Sequence, residues 1–264
     1  MTLVSKNLIS ALIITYNEEA NIARTLQALE WMPFILIVDS GSTDQTIKIA
    51  NEFKNTKVIY REFDTFSKQC NFGLSILTSD WILSLDADYV LSGAVSDEII
   101  NVVLSQPNDF PYRSFRIKFW YCINGKPIRS GILPPRTCLY QREGAEYIDI
   151  GHGHRVIIAG RVGDLKNRIF HDDRKPLKIW LESQQKYQLS EATMLKSSKS
   201  NQLPIQDLIR KHTFLAPFLA FIVCILFKKG FLDGKAGLLY AYQRLIAESI
   251  LYNYLHSTTA LEHD

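Results

Sequence analysis

Residues 81–88 read Trp-Ile-Leu-Ser-Leu-Asp-Ala-Asp (WILSLDAD), an almost unbroken apolar run that ends in two carboxylates. A run without alternation suits a strand covered on both faces. Its closing Asp86-Ala87-Asp88 then stands at the strand's exposed end. Three more apolar runs precede it, at Ile9–Thr15, Phe34–Asp39 and Val58–Tyr60. Helix-like stretches at Glu19–Leu29, Asp44–Phe53 and Ser67–Leu77 separate them. Strands alternating with helices of this length imply crossover units and a largely parallel sheet, an α/β fold with helices on both faces.

Polar residues crowd the C-terminal ends of three of these runs: TYNEE after the first, DSGSTD after the second and DAD at the fourth. In open α/β sheets ligands bind beyond the carboxyl ends of the strands. The three clusters are therefore expected to form one site, although they lie far apart in sequence.

Each cluster has a chemical reading and a plainer one. Hard cations such as Mg²⁺ take one or two carboxylates together with substrate phosphates, which Asp86 and Asp88 can supply. An Asp-x-Asp triplet also serves as a turn or helix cap. Asp39 closes a buried strand, where a carboxylate without a partner is costly; a donor N–H on the edge of a base is one such partner. Gly41 permits a tight turn, and Ser42, Thr43 or Asp44 can cap the next helix. In Thr15–Ile22, Tyr16 is placed to stack on a base and Glu18 to accept from a ribose hydroxyl or base, while Asn17 can cap. In FSKQCNFGL, Lys68 and Asn71 lie near a helix start, where Lys68 either meets a diphosphate or is simply solvated.

Beyond about residue 110 the pattern changes. Arg113–Cys122 and Arg136–Tyr140 look like strands, and Pro176–Lys196 reads as a helix with Pro in its first turn. Trp180, Gln184, Tyr187 and Glu191 share one face of that helix, most simply a packed face. The segment Phe214–Phe227, FLAPFLAFIVCILF, is the most apolar in the chain. It covers 14 residues, whereas a spanning helix needs about 20. Arg210, Lys211, Lys228 and Lys229 border it. A membrane-surface or re-entrant element in peripheral contact with a membrane is expected, with a buried core helix as the alternative. The domains expected are residues 1–175, carrying the site, and 176–264, a helical extension.

With 47% hydrophobic and 22% charged residues the chain is ordinary globular protein, and a net charge of +3 gives no footing for nucleic acid. The four cysteines, Cys70, Cys122, Cys138 and Cys224, have no paired spacing and suit a reducing compartment. The run Ile9–Ile14 is too short for a secretory core, so a cytoplasmic location is expected, at the inner face of a membrane.

TYNEE, VDSGSTDQT, Lys68–Asn71 and LDAD, in that order, resemble the family 2 glycosyltransferases, whose fold is called GT-A. GHGHRV, IFHDDRKPL, the W-x3-Q-x2-Y-x3-E helix and KKGFLDGKAGL resemble the lipopolysaccharide-core and envelope members of that family. The resemblance implies an inverting transfer from a nucleotide-sugar, UDP-linked, to a glycolipid or lipid-linked acceptor. It also implies a divalent cation, Mg²⁺ or Mn²⁺, on Asp88, with Asp86 on ribose or metal and His171 as a further ligand. Thr15, Tyr16, Glu18, Asp39, Gly41, Lys68, Asn71, Asp86 and Ala87 would line the donor site, with Asp39 holding uracil. The chain departs from the pattern at Gly153-His154, where relatives carry a His-Glu pair. The base that takes the acceptor's proton is then sought among His154, Asp149, Asp172 and Asp173, with His154 preferred because it titrates near neutrality. A nucleotidyltransferase would want a glycine- and basic-rich phosphate loop where this chain has acidic TYNEEANI. A non-catalytic binder of nucleotide-sugars is the other alternative, and turnover separates it from an enzyme.

Overall fold

The computed structural model describes residues 7–104, 111–150 and 153–257. The strands are β1 (Ile9–Thr15), β2 (Ile35–Asp39), β3 (Thr56–Tyr60), β4 (Trp81–Asp86), β5 (Tyr89–Val90) and β6 (Tyr112–Ile123). They continue with β7 (Lys126–Ile128), β8 (Arg136–Gln141), β9 (Glu146–Ile150), β10 (Gly153–Ile157) and β11 (Arg161–His171). The helices are α1 (Ile22–Gln27), α2 (Thr46–Asn51), α3 (Phe66–Ile76), α4 (Gly93–Leu104), α5 (Leu177–Ser197), α6 (Ile205–His212), α7 (Ala216–Ile222) and α8 (Lys235–His256). Two compact units result, one of residues 1–127 with 132–174, the other of 128–131 with 175–264.

In the first unit the main sheet runs β3-β2-β1-β4-β8-β6-β11-β5, and β7 pairs back on β6. Strands β1 to β4 are mutually parallel, and β11 is parallel to β6. Strand β8 is antiparallel to both β4 and β6, and β5 to β11. The fold is thus mixed α/β with a mainly parallel sheet. Chain order reverses beside β1, whose neighbours are β2 and β4, so a switch point opens at their carboxyl ends.

The unbroken apolar runs follow from burial on both faces. Ile9, Ala11 and Ile13 of β1 face one core with Ile22 and Leu26 of α1 and Val95, Ile99 and Val103 of α4. Leu12 faces the other with Leu36, Val38 and Ile82, under Cys70 and Leu74 of α3 and Tyr140, Tyr147 and Val156. All five residues of β2 are buried.

Helices α1 and α2 are shorter than their apolar periodicity suggests. Residues preceding each are drawn into loops, and Asn17 adopts a left-handed φ of 53°. Strand β11 has no counterpart in the sequence reading because register shifts at Arg161/Val162 and Asp164/Arg168 break its alternation. Hairpin β9–β10 and helix α4 were likewise not anticipated.

In the second unit, α5 begins after Pro176, but its buried stripe is Gln188, Ala192 and Leu195. Tyr187, expected on a packed face, is 42% exposed. Arg210 of α6 bonds Glu191 (2.7 Å), Asp207 (3.1 Å) and Glu248 (2.9 Å), and Arg244 adds a second bond to Glu248 (3.1 Å). The segment Phe214–Phe227 is not a buried core helix: Pro217 opens α7, the chain then widens into a π turn at Val223–Phe227, and only Ala216, Pro217 and Cys224 are buried in these two elements. Among the described residues no helix is long and apolar enough to cross a membrane.

The packing of α3 on β1 needs a glycine. A Cβ at Gly73 would collide with the Leu12 side chain from its γ carbon outward. Gly73→Ala is expected to lower unfolding free energy by about 1–3 kcal/mol through overpacking, read as a lowered midpoint in urea denaturation. An unchanged midpoint would mean that α3 can ride outward on the sheet.

Candidate active site

The carboxyl ends of β1, β2 and β4 form the candidate site. Asp39, at the end of β2, is 1% exposed. Its Oδ1 accepts from the backbone N–H groups of Gly41 (2.9 Å) and Ser42 (2.8 Å), and its Oδ2 from the hydroxyls of Thr15 (3.0 Å) and Ser42 (2.5 Å). Four donors fill the acceptor positions of a carboxylate. Asp39 therefore finds its partners within the loop rather than on a ligand edge, and Thr15 is held with it. The turn works because Gly41 takes a φ of 93°, open only to glycine at low cost.

The loops after β1 and β2 are laced together. The Asn17 N–H donates to the Ser42 hydroxyl (2.9 Å) and the Thr43 N–H to the Asn17 side-chain oxygen (2.9 Å). The Glu18 N–H donates to Thr46 (2.7 Å), the Glu19 N–H to Asp44 (3.1 Å) and the Gln45 N–H to Glu19 (3.0 Å). Glu18 accepts from the Asn21 amide (2.9 Å). Tyr16, 57% exposed, and Tyr60, 66% exposed, stand at this edge.

At the end of β4 the two carboxylates part company. Asp86 pairs with Arg136 of β8 at 3.0 Å, and the same guanidinium nitrogen donates to the Tyr89 hydroxyl (3.0 Å). Burial opposes ionisation of Asp86, but Arg136, His154 and His171 outweigh it and hold its carboxyl below the usual range. Asp86, expected as a metal ligand, thus has a cationic partner of its own. Asp88 lies 2.9 Å from His171 Nε2, the side chains being 14% and 21% exposed. Burial disfavours a charged His171, and the Asp88 carboxylate overcomes this, so the imidazole pKa is raised. The Tyr89 and Tyr121 rings meet His171 edge-on at 5.2 and 5.1 Å and fix its plane. Asp88 Oδ1 and His171 Nδ1 are buried and, among the described residues, without hydrogen-bond partners. Between Asp86 and Asp88, Ala87 is buried and its carbonyl accepts from the Thr25 hydroxyl (2.7 Å).

The candidate bases are held differently. His154 stacks on Phe66 (5.6 Å between centroids, 27° between planes) and its Nε2 lies 3.5 Å from Arg136. Burial first and Arg136 next depress its pKa, against Asp86 and Asp149, so the ring is neutral at neutral pH. Asp149 accepts from the Ser67 hydroxyl (2.7 Å) and N–H (3.2 Å), bonds that keep its carboxyl acidic and tie β9 to the start of α3. Asp172 accepts from the Gly125 N–H (3.0 Å) and from Arg174 (2.9 Å). Asp173 accepts from Asn21 (2.8 Å). His152 lies outside the described residues.

Lys68 and Asn71 have partners within the chain. Lys68 is 63% exposed and lies 3.5 Å from Asp64 one helical turn earlier, a solvated pair. Asn71 bonds the Tyr147 backbone with both ends of its amide (2.9 and 2.8 Å), so it anchors β9. Among the described residues no group of three or more His, Cys, Asp or Glu side chains is arranged to hold a metal by itself.

The family model for Glycosyl transferase family 2 matches residues 10–155, which takes in all three strand ends and the His154 hairpin. The chain belongs to glycosyl transferase family 2. It is 33% identical over 168 residues to an uncharacterized glycosyltransferase of Rickettsia bellii (strain RML369-C), covering 61% of this chain and 56% of that protein. It is also 31% identical over 99 residues to the lipopolysaccharide core biosynthesis glycosyltransferase LpsC of Rhizobium meliloti (strain 1021), covering 36% and 37%. The chain thus spans little more than half the length of the first of these relatives. Among solved structures, S. aureus TarS 1–349 in complex with UDP-GlcNAc aligns at a TM-score of 0.49 and 15% identity over 94% of this chain and 90% of that one.

The candidate site contains residues that nothing in the local sequence marks. Arg136 was read only as the start of a strand, and nothing local marks it as the partner of Asp86. Antiparallel pairing, with Leu83 opposite Leu139, brings it there. Asn21 and Arg24 look like ordinary helix residues. Asn21 is nevertheless 1% exposed and bonds Glu18, Asp173, Arg24 and the Arg174 N–H (2.9, 2.8, 2.9 and 2.9 Å).

Burial lowers the His154 pKa most, and Arg136 adds to that. Arg136→Ala removes a cation that disfavours imidazolium, so the His154 pKa is expected to rise toward the ordinary histidine range, read from its ring-proton shifts in an NMR pH series. A fall, or no movement, would show that Arg136 does not hold the value down.

Proposed function

We propose that this chain catalyses inverting transfer of a sugar from a nucleotide-sugar, UDP-linked, to a lipid-linked or envelope glycan acceptor. The observation that carries the reading is the Asp88–His171 pair at the end of β4, its buried Asp88 Oδ1 still without a partner, beside the loops ordered by Asp39. The likeness to a relative named for lipopolysaccharide core biosynthesis supports an envelope acceptor. That chemistry would place the protein at the cytoplasmic face of the inner membrane.

In this reading Asp88 holds a divalent cation, Mg²⁺ or Mn²⁺, with His171 beside it. An orphaned carboxylate oxygen is a fit donor, because such a cation takes one or two protein carboxylates and completes its shell with phosphate and water. When bound, the cation supplies Lewis-acid stabilisation of charge on the departing diphosphate. Asp39 acts one step back: it fixes the turn that presents the loop backbone, while exposed Tyr16 and half-buried Glu18 contact base and ribose. Arg136 neutralises Asp86 and orients it toward the donor. His154, neutral and stacked on Phe66, takes the acceptor hydroxyl's proton as that oxygen attacks the anomeric carbon from the face opposite the leaving diphosphate. A base must be unprotonated at working pH, and the depressed pKa of His154 meets that need. Asp149 shapes the hairpin that carries it.

Two substitutions test the donor site. Asp88→Asn should abolish Mn²⁺-dependent UDP binding, measured by calorimetry, while leaving the circular dichroism spectrum unchanged; full Mn²⁺-dependent affinity in the folded variant would end the metal assignment. Asp39→Ala strands four donors at the end of β2. It should cost about 1–3 kcal/mol of stability and weaken UDP binding at least tenfold even where the protein is folded. Wild-type affinity in that variant would leave Asp39 a turn residue with no bearing on the nucleotide.

A further inference from the structure

The second unit carries an apolar surface that its own packing leaves open. In α7 and the π turn, Phe218, Leu219, Ile222, Val223, Leu226 and Phe227 are 39–76% exposed. Their spacing of three and four residues places them on one outward stripe. Pro217 and Cys224, on the opposite side, are buried. Helix α8 repeats the arrangement. Leu238, Leu239, Tyr242 and Ile246 are exposed at helical spacing, while Tyr240, Ala241, Ala247 and Leu251 face inward. The Phe221 and Tyr242 rings meet at 5.2 Å and join the two helices at this face. Phe231 and Leu232, 58% and 52% exposed, extend it from the 3-10 turn at Gly230–Asp233. An apolar surface of this extent marks a contact site rather than ordinary solvent-facing structure.

Charge decides what the contact is. From Phe214 to Gln243 the charged residues are Lys228, Lys229, Asp233 and Lys235. The three lysines are exposed. Asp233 is buried, and one of its carboxylate oxygens accepts from the N–H groups of Arg129 (2.8 Å) and Ser130 (3.2 Å) and from the Ser130 hydroxyl (3.2 Å). The exposed charges of this segment are therefore all cationic. Arg210 and Lys211, which the sequence places beside the segment, do not belong to it: Arg210 is held by three carboxylates, and Lys211 donates to the Ser198 carbonyl (2.9 Å). A two-fold contact between copies through this face would bring the lysines of both copies to one interface with no exposed carboxylate of the segment to meet them. An anionic bilayer instead takes the apolar stripe at the acyl boundary and the lysines at the headgroups.

We propose that the face formed by α7, the π turn, the 3-10 turn and the exposed stripe of α8 is a peripheral docking surface for an anionic lipid bilayer. It rests on the proposed function only in supplying a reason for the chain to work at a membrane, and the surface itself is independent of the donor site. Neither signal alone is enough for firm attachment: the apolar stripe inserts, and the lysines select the lipid.

The test is flotation of the full chain with vesicles of phosphatidylcholine alone or mixed with phosphatidylglycerol, and UDP binding with Mn²⁺ is measured on the same samples. Wild type should float with the mixed vesicles and little with the neutral ones. Replacing Lys228, Lys229 and Lys235 by glutamine should lower partitioning onto mixed vesicles by on the order of a hundredfold, about fivefold for each cation. Phe218→Ser with Phe227→Ser should abolish flotation while UDP binding stays as in wild type, showing that the first unit remains intact. Wild type that ignores mixed vesicles, equal flotation on both compositions, or a concentration-dependent dimer broken by the two Phe→Ser changes would each overturn the proposal. Loss of UDP binding in wild type would count against the proposed function and not against the surface.

Discussion

The buried carboxylate of Asp39 is the constraint on which the site depends. Strand β2 is covered on both faces, so its last residue cannot reach bulk water, and an ionisable side chain there needs internal donors. Thr15, Gly41 and Ser42 provide them. In doing so they bend the chain sharply out of the sheet and bind the end of β1 to the loop after β2. The second layer of bonds, from Asn17, Glu18 and Glu19 to Ser42, Thr43, Asp44, Gln45 and Thr46, depends on that bend. A floor of this kind is preorganised: its backbone groups are aligned before any ligand arrives, which is where a binding site gains most.

The opposite side of the switch point is ordered by charge. The neighbouring carboxylates Asp86 and Asp88 would repel each other if left alone. Each has instead a basic partner from the later part of the sheet, Arg136 from β8 and His171 from β11. Asp86 closes β4 and Asp88 lies in the turn beyond it, and the two carboxylates take different partners. The result is a division of labour, with Asp86 neutralised in an Arg136–Tyr89 cluster and Asp88 left with one oxygen open. Asn21 links this side to the loop side, because its amide reaches Glu18 and Asp173 together.

The second unit obeys a different logic. Its interior is held by a small apolar cluster and by the Arg210 hub, in which three carboxylates surround one guanidinium. Single-residue removal from such a hub leaves buried charge unbalanced and is costly. With cohesion supplied there, α7 and the outer stripe of α8 have no need to cover their apolar side chains within the unit.

By itself the sequence located the parallel half of the sheet: β1, β2 and β4 are largely buried and leave short apolar runs, and their alternation with helix-like stretches marks them as strands. It also located the polar strand ends, since loops at those ends carry the turn and carboxylate residues. The apolar character and short reach of Phe214–Phe227 were legible for the same reason, as composition. Tertiary structure alone decided who faces whom. Arg136 meets Asp86 through antiparallel register, and His171 meets Asp88 through a strand whose bulges hide its periodicity. Lys68 and Asn71, promising by position, turn to Asp64 and Tyr147. Local pattern records which side chains are buried, but pairing between strands distant in sequence is set by register and topology, which no local pattern carries.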